Sequence, residues 1–137
     1  MQITPYLIFD SNCEEALNFY AKIFGGTVNG LTRYKDAPGE NRMGMAGDKI
    51  MHAHLDVDGQ PLLMASDGPG GGQGTSSAHM SVNFTDAESI NAAYEALREG
   101  GRVNMPLQDT FWGATFGMLQ DKFGVKWMLN YDKPKQS

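Results

Sequence analysis

The first third of the chain is repeated in its second half. Moved by about 75 positions it lies over that half without a gap, setting Phe9 on Phe84, Phe19 on Tyr94, Gly25-Gly26 on Gly100-Gly101, Val28 on Val103 and Asn29 on Asn104. Pattern is kept and identity is not. In 137 residues this leaves room for two small units, each of which must cover its own apolar face.

Each copy reads as strand, helix, strand. Residues Ile3 to Phe9 alternate, with Ile3, Leu7 and Phe9 on one side and Thr4, Tyr6 and Ile8 on the other. His79 to Phe84 alternates more cleanly: His79, Ser81 and Asn83 form a polar side, and Met80, Val82 and Phe84 an apolar one. Ser11 and Thr85 each stand three residues before a glutamate, Glu14 and Glu88, the spacing of a reciprocal helix cap. Ala16, Leu17, Tyr20, Ile23 and Phe24 then make one apolar stripe, and Ile90, Ala93, Tyr94 and Leu97 the other. Each helix is expected to stop at its glycine pair.

Further strands are expected at Thr27 to Tyr34, Met51 to Val57 and Pro61 to Ser66, then at Arg102 to Leu107, Phe111 to Gln120 and Val125 to Tyr131. Asp58-Gly59 is a hairpin turn signal. The glycine-rich stretch 68–77 reads as a linker, or as a flap over a binding site, because nothing in it can pack a core. Lys133 to Ser137 reads as a frayed tail. The expected fold is therefore α+β: a single domain over 1–137 made of two tandem β-α-β-β-β modules, about 1–67 and 78–132. Each helix covers one sheet face, and the other faces form a curved sheet around a cleft.

Charge and composition narrow the partners. Eleven Lys and Arg against sixteen Asp and Glu give net −5, with no basic cluster to follow a phosphate backbone, so nucleic acid is not an expected partner. No apolar run can span a bilayer and no basic start precedes a hydrophobic signal core, so a cytoplasmic protein without membrane contact is expected. The lone cysteine, Cys13, excludes an internal disulfide and a cysteine-rich zinc site. It stands in a helix first turn beside Glu14 and Glu15, which oppose thiolate formation, and is read as structural.

Several residue sets could carry chemistry. His52, His54 and Asp56 share one strand face, but at roughly 3.3 Å per residue the outer two stand about 13 Å apart, too far for one ion. His54 and His79 are the candidate acid-base residues, with Tyr6 positioned to orient a ligand. The bland alternative for His79 is an imidazole satisfied by a backbone carbonyl. Met64, Trp112, Phe116 and Met128 are candidate ligand contacts. Alternation groups Trp112, Ala114, Phe116 and Met118, and nine methionines suit a soft pocket for a flat or greasy molecule. Asp109, Asp121 and Glu40 have no partner that the sequence establishes and read as solvated loop residues. Glycines 68–74 lack the spacing of a dinucleotide or phosphate loop.

The opening Pro5-Tyr6-Leu7-Ile8-Phe9-Asp10 and the helix Cys13-Glu14-Glu15-Ala16-Leu17-Asn18-Phe19-Tyr20 carry a resemblance to a known family. So do the closing Thr110-Phe111-Trp112-Gly113 and Asp121-Lys122-Phe123-Gly124-Val125-Lys126-Trp127. Together they resemble the PhnB-like branch of the vicinal oxygen chelate superfamily, which includes glyoxalase I, bleomycin-resistance proteins and extradiol dioxygenases. The resemblance implies the paired-module fold and a homodimer. It also implies a divalent ion held by the first and last strands of each module. The matching positions here are Thr4, His79, Leu63 or Met64, and Met128. Only His79 is an ordinary ligand for such an ion, since thioethers do not hold hard cations.

The expected function is thus binding of a small organic molecule, without the family's metal and with no cofactor, by sequestration or by modest acid-base chemistry. The alternative is a metal-dependent enzyme of glyoxalase or dioxygenase type whose site has moved to His54 and His79.

Overall fold

The computed structural model describes residues 1–37, 44–69 and 76–134. The chain divides into two compact units, Met1–Gly74 and Thr75–Ser137. Residues 70–75 of the expected linker and flap, and 135–137 of the expected tail, lie outside the described residues.

In the first unit the order is β1 (Tyr6–Phe9), α1 (Cys13–Phe24), β2 (Thr27–Arg33), a 3-10 turn at Tyr34–Asp36, β3 (Ile50–Val57) and β4 (Gln60–Asp67). The second unit runs β5 (Met80–Phe84), α2 (Ala87–Arg98), β6 (Arg102–Asp109), β7 (Ala114–Gln120) and β8 (Lys126–Asp132). The two sheets have the same plan, β1-β4-β3-β2 and β5-β8-β7-β6. In each the first strand lies parallel to the last and the other pairs are antiparallel. The duplication read from the sequence is thus a duplication of topology, and the fold is α+β with two β-α-β-β-β units.

Alternation decides which side of each sheet meets its helix. On β4 and β3, Leu63, Ala65, Ala53 and Leu55 are fully buried, as are Ala16, Leu17 and Tyr20 of α1. Trp127, Leu129 and Leu119 of the second sheet are buried alongside Ile90 and Leu97 of α2. Each large apolar side chain withdrawn from water contributes roughly 1.5–3 kcal/mol, so these two small cores carry most of the stability. Pro106 is tolerated inside β6 because β6 is an edge strand, where a missing amide is not needed.

The glycine pairs repeat for two separate reasons. Gly25 and Gly100 hold φ of +72° and +73°, the left-handed turn that releases the chain from each helix. Their neighbours Gly26 and Gly101 pass directly beneath strand backbone, where a Cβ would strike Asp56 O and Gln120 O respectively.

The helix starts differ from the expected reciprocal caps. The cap positions are Asn12 and Asp86, one residue later than Ser11 and Thr85. Asp86 accepts from the Ser89 amide at 2.7 Å and from its hydroxyl at 3.0 Å; its carboxylate reaches the third helical amide without help from Thr85. At α1 the cap comes from far along the chain. Asp67, buried at the end of β4, accepts the Cys13 amide on Oδ1 and the Ile50 amide on Oδ2, each at 2.9 Å. The Tyr34 hydroxyl donates to the Asp67 carbonyl at 2.6 Å.

Several strands start later than alternation predicts. β1 begins at Tyr6, leaving Ile3 exposed, and β5 begins at Met80, leaving His79 just outside it. β7 begins at Ala114, so Phe111 and Trp112 belong to the preceding turn, which Gly113 completes at φ +87°.

Candidate functional site

The first unit presents a polar, hydrogen-bonded face on the side of its sheet opposite the buried residues. Register sets four residues abreast: Tyr6 opposite Met64, Met64 opposite His54, and His54 opposite Asn29. Paired residues on neighbouring strands point the same way, so Tyr6, Met64 and His54 share this face. Asp56 binds both flanking groups. His54 Nδ1 lies 2.9 Å from Asp56 Oδ1, and Asn29 Nδ2 donates to Asp56 Oδ2 at 2.7 Å.

The hydrogen bond from Asn29, then that from His54, holds the Asp56 carboxyl below the usual carboxylate range. An ionised carboxylate only accepts, so His54 donates from Nδ1 and, when neutral, carries its lone pair on Nε2. That nitrogen lies over Gly30. A Cβ at Gly30 would come within 2.7 Å of it, and Gly30 also holds φ of +61°. The bare glycine is what lets the imidazole lie flat on β2.

His52 turns the other way. Its Nδ1 stands 3.2 Å from the Tyr6 hydroxyl, with ring centroids 5.8 Å apart, while the two histidine rings are 6.4 Å apart. The run His52, His54 and Asp56 is therefore split into a tyrosine-histidine pair and a histidine-aspartate pair.

The second unit presents a softer face. A bulge in β6 between Val103 and Met105 brings Met105 opposite Met118, and Met118 pairs in turn with Met128. Beside this row run Gln108, Phe116, Asn130 and Asn83, again in register. Trp112 does not extend the strand as expected, yet it stays near Phe116, with centroids 6.3 Å apart. Phe111 meets it edge-on at 5.0 Å. Phe111 is 96% and Trp112 57% exposed. Sequence alternation finds Phe116, Met118 and Met128 but not Met105, whose place depends on the bulge.

His79 is exposed, and its Nδ1 donates to the Ser77 carbonyl at 2.8 Å. A carbonyl cannot donate, so Nε2 is the acceptor nitrogen of the neutral ring. Cys13 is fully buried, and burial together with Asp67 and Glu14 pushes its thiol up to about 12, out of range for nucleophilic work at neutral pH.

Of the acids that read as solvated loop residues, Asp121 is buried, while Asp109 is exposed but lies at the end of β6 with partners of its own. Asp121 is 3% exposed. Its Oδ1 accepts the amides of Phe123 at 2.9 Å and Val125 at 3.0 Å, and its Oδ2 accepts Trp127 Nε1 at 2.9 Å. An aspartate placed two and four residues before turn amides, with Gly124 between, is a signal that local spacing could have given. Asp109 is paired with Lys133 at 2.8 Å and accepts from the Thr115 hydroxyl at 3.1 Å. Glu40 lies outside the described residues.

The divalent ion that the resemblance implies does not fit the residues at the matching positions. Leu63 is buried on the helix side of β4, and Met64 and Met128 offer thioethers. Among the described residues no three His, Cys, Asp or Glu side chains converge as a metal-ligand set. No described helix is long and apolar enough to cross a membrane.

Comparison with known proteins places this geometry among relatives. Residues 2–129 match the profile of the Glyoxalase/Bleomycin resistance protein/Dioxygenase superfamily. Protein YjdN of Escherichia coli K12 is 29% identical over 142 residues, covering 97% of each chain. Among solved structures, protein PA1353 from Pseudomonas aeruginosa is 41% identical with a TM-score of 0.85, covering 98% of this chain and 99% of that one. The PhnB protein from Bacillus cereus is 30% identical with a TM-score of 0.80, covering 96% and 99%.

Proposed function

Because the chain belongs to the glyoxalase/bleomycin resistance protein/dioxygenase superfamily, we propose that it binds a small organic molecule without the divalent ion of metal-dependent members. The observation that carries this reading is the second unit's face, where Phe116, Met118 and Met128 lie together beside the exposed Trp112. Solvent-facing aromatics and methionines offer apolar contact that adapts to shape, and they suit a flat or greasy ligand. On the first unit, Tyr6 supplies a hydroxyl to orient a ligand and Met64 an apolar floor. His54 offers Nε2 as a proton acceptor, its tautomer set by Asp56. His79 offers a second acceptor nitrogen of the same kind. The protein then works by holding its ligand, with His54 and His79 available for modest proton transfer. A cytoplasmic homodimer acting on small molecules belongs to the same reading, and net −5 supports the absence of nucleic acid.

Titration with 8-anilinonaphthalene-1-sulfonate, a flat apolar probe, tests the proposal. Saturable fluorescence enhancement that weakens tenfold or more in Trp112→Ala and Met128→Ala is the expected result. Equal enhancement in both variants and the parent refutes it. Elemental analysis of tag-free protein tests the metal clause: near-integral zinc, nickel, iron or manganese that falls in His79→Ala overturns it.

A further inference from the structure

The face of the second sheet that turns away from buried Leu119 and Trp127 is charged unevenly. Register sets Arg102 opposite Gln120 and Gln120 opposite Lys126, at the end where β6 and β8 begin. These three share a side with Met118 and Met128, since Lys126 and Met128 stand two apart on β8, as Gln120 and Met118 do on β7. Lys126 Nζ donates to the Ser76 carbonyl, which leaves two of its three donors for a ligand. Arg102 is exposed. Among the described residues neither cation is paired with a carboxylate, unlike Arg98 with Glu95 and Lys133 with Asp109. The far end of the face carries the opposite sign. Asp132, on the same side of β8 and roughly 20 Å from Lys126, accepts from Asn130.

From this polarity we infer that the ligand of this face is an organic anion, a flat apolar body ending in a carboxylate or similar oxyanion, held with its charge at Arg102 and Lys126. The inference rests on the apolar-face reading above and adds the ligand's charge and direction. The spacing suits it. Along β8, Met128 lies roughly 7 Å and Asn130 roughly 13 Å from Lys126. A fused ring pair whose carboxylate meets the ammonium therefore covers Met118 and Met128 and turns its far edge toward Phe116, which pairs with Asn130. Reversed, the same molecule would bring its carboxylate toward Asp132, like charge against like. The two cations need not converge. Arg102 and Lys126 stand two strand spacings apart, roughly 10 Å. One takes the anion directly, and the other acts through a field that reaches roughly 30 Å at 0.01 M salt and roughly 8 Å at 0.15 M. In a chain of net −5, these two charges draw an anion to a surface that would otherwise repel it.

Two probes separate charge from apolar contact. 2-Naphthoate and 2-naphthamide share a ring system, and only the first is an anion at about pH 7.5. Both are titrated by calorimetry into the full chain at about 10 mM ionic strength. Each exposed ion pair is worth a factor of up to about five, so naphthoate is expected to bind about tenfold more tightly than the amide. Arg102→Gln and Lys126→Gln should each cut that preference about threefold, and the double variant should erase it. Naphthamide affinity should be the same in all of them. The preference should also shrink at about 0.15 M salt. Lys133→Gln, whose cation is spent on Asp109, should behave as the parent does. Circular dichroism confirms that each variant is folded. Equal binding of the two probes overturns the inference and leaves the apolar-face reading standing. A preference that survives the double variant, or that ignores salt, also overturns it. Binding of neither probe overturns both.

Discussion

Replacing Asp121 by Asn is the sharpest test of how the second unit is held together. The carboxylate is 3% exposed and receives three donors: the amides of Phe123 and Val125 on one oxygen and the buried indole of Trp127 on the other. Asparagine keeps one acceptor oxygen, which can serve both turn amides. It must then present its NH2 to the Trp127 N–H, donor against donor. Losing a charge-assisted hydrogen bond and leaving that buried donor without its carboxylate costs about 2–3 kcal/mol. Alanine also strips the two turn amides, which sit near enough to solvent to recover part of their loss, for a total of about 4 kcal/mol. Unfolding entropy of roughly 2.1 cal/mol/K per residue converts 1 kcal/mol into roughly 3.5 °C for a chain of this length. The expected fall in Tm is about 8 °C for Asp121→Asn and about 14 °C for Asp121→Ala, read by circular dichroism melting. The control is Trp127→Phe, which removes the indole donor. In that background Asp121→Asn should cost at least about 1 kcal/mol less, the coupling of a buried hydrogen bond. An Asn variant melting within about 3 °C of the parent, or an equal penalty in both backgrounds, refutes the account.

Asp67→Ala removes the acceptor from the buried Cys13 and Ile50 amides and should cost about 3 kcal/mol in urea unfolding; a loss under about 1 kcal/mol contradicts the cap assignment. Gly30→Ala drives a Cβ into the His54 ring, so the His54 Nε2 and Nδ1 nitrogen resonances should move while those of His79 stay fixed. Unchanged His54 signals would show that the ring does not lie on Gly30. Glu14, Asp56 and Asp109 have carboxyls held below the ordinary range, chiefly by hydrogen bonds from Arg33, Asn29 and Lys133 respectively. Each contributes stability that is present above the unfolded carboxylate pKa and lost as pH falls through the lower folded value. The urea midpoint should therefore decline below about pH 4, and a midpoint flat from neutral pH to about pH 3 would deny these pairings. Cys13 should resist Ellman's reagent at about pH 8 in the folded protein and react fully in urea, because its thiol is buried and pushed up to about 12; rapid labelling of the native chain would show that α1 opens.

The sequence is most legible where the physics is local. Alternation and helical stripes depend on near neighbours, so the helices and most strands could be placed, and the Gly25-Gly26 and Gly100-Gly101 pairs marked the helix ends. The family resemblance rested on contiguous runs and is matched by the profile over residues 2–129. What escaped depends on register. Asp67 looks like an ordinary loop acid until strand pairing shows which amides it faces, whereas the partners of Asp121 stand two, four and six residues on and are legible in local spacing. The Gly30 contact with His54 requires the register shift between Asn29 and Thr32, and Met105 requires the bulge in β6. Alternation places Trp112 in a strand because its apolarity extends the run from Ala114. The positive φ of Gly113 ends that run instead. The histidines are an intermediate case. Spacing put His52, His54 and Asp56 on one face, and only the side-chain hydrogen bonds show that they work as two pairs.

The parallel pairing of Tyr6 with Met64 and of Ser81 with Met128 has a consequence for how the protein is made. In each unit the strand that leaves the ribosome first joins the one that leaves last, so no sheet can be completed until nearly all of its unit has emerged. The antiparallel neighbours, closed by shorter connections, can assemble earlier. Weakening β1 or β5 should then hasten unfolding while leaving the rate of refolding almost untouched.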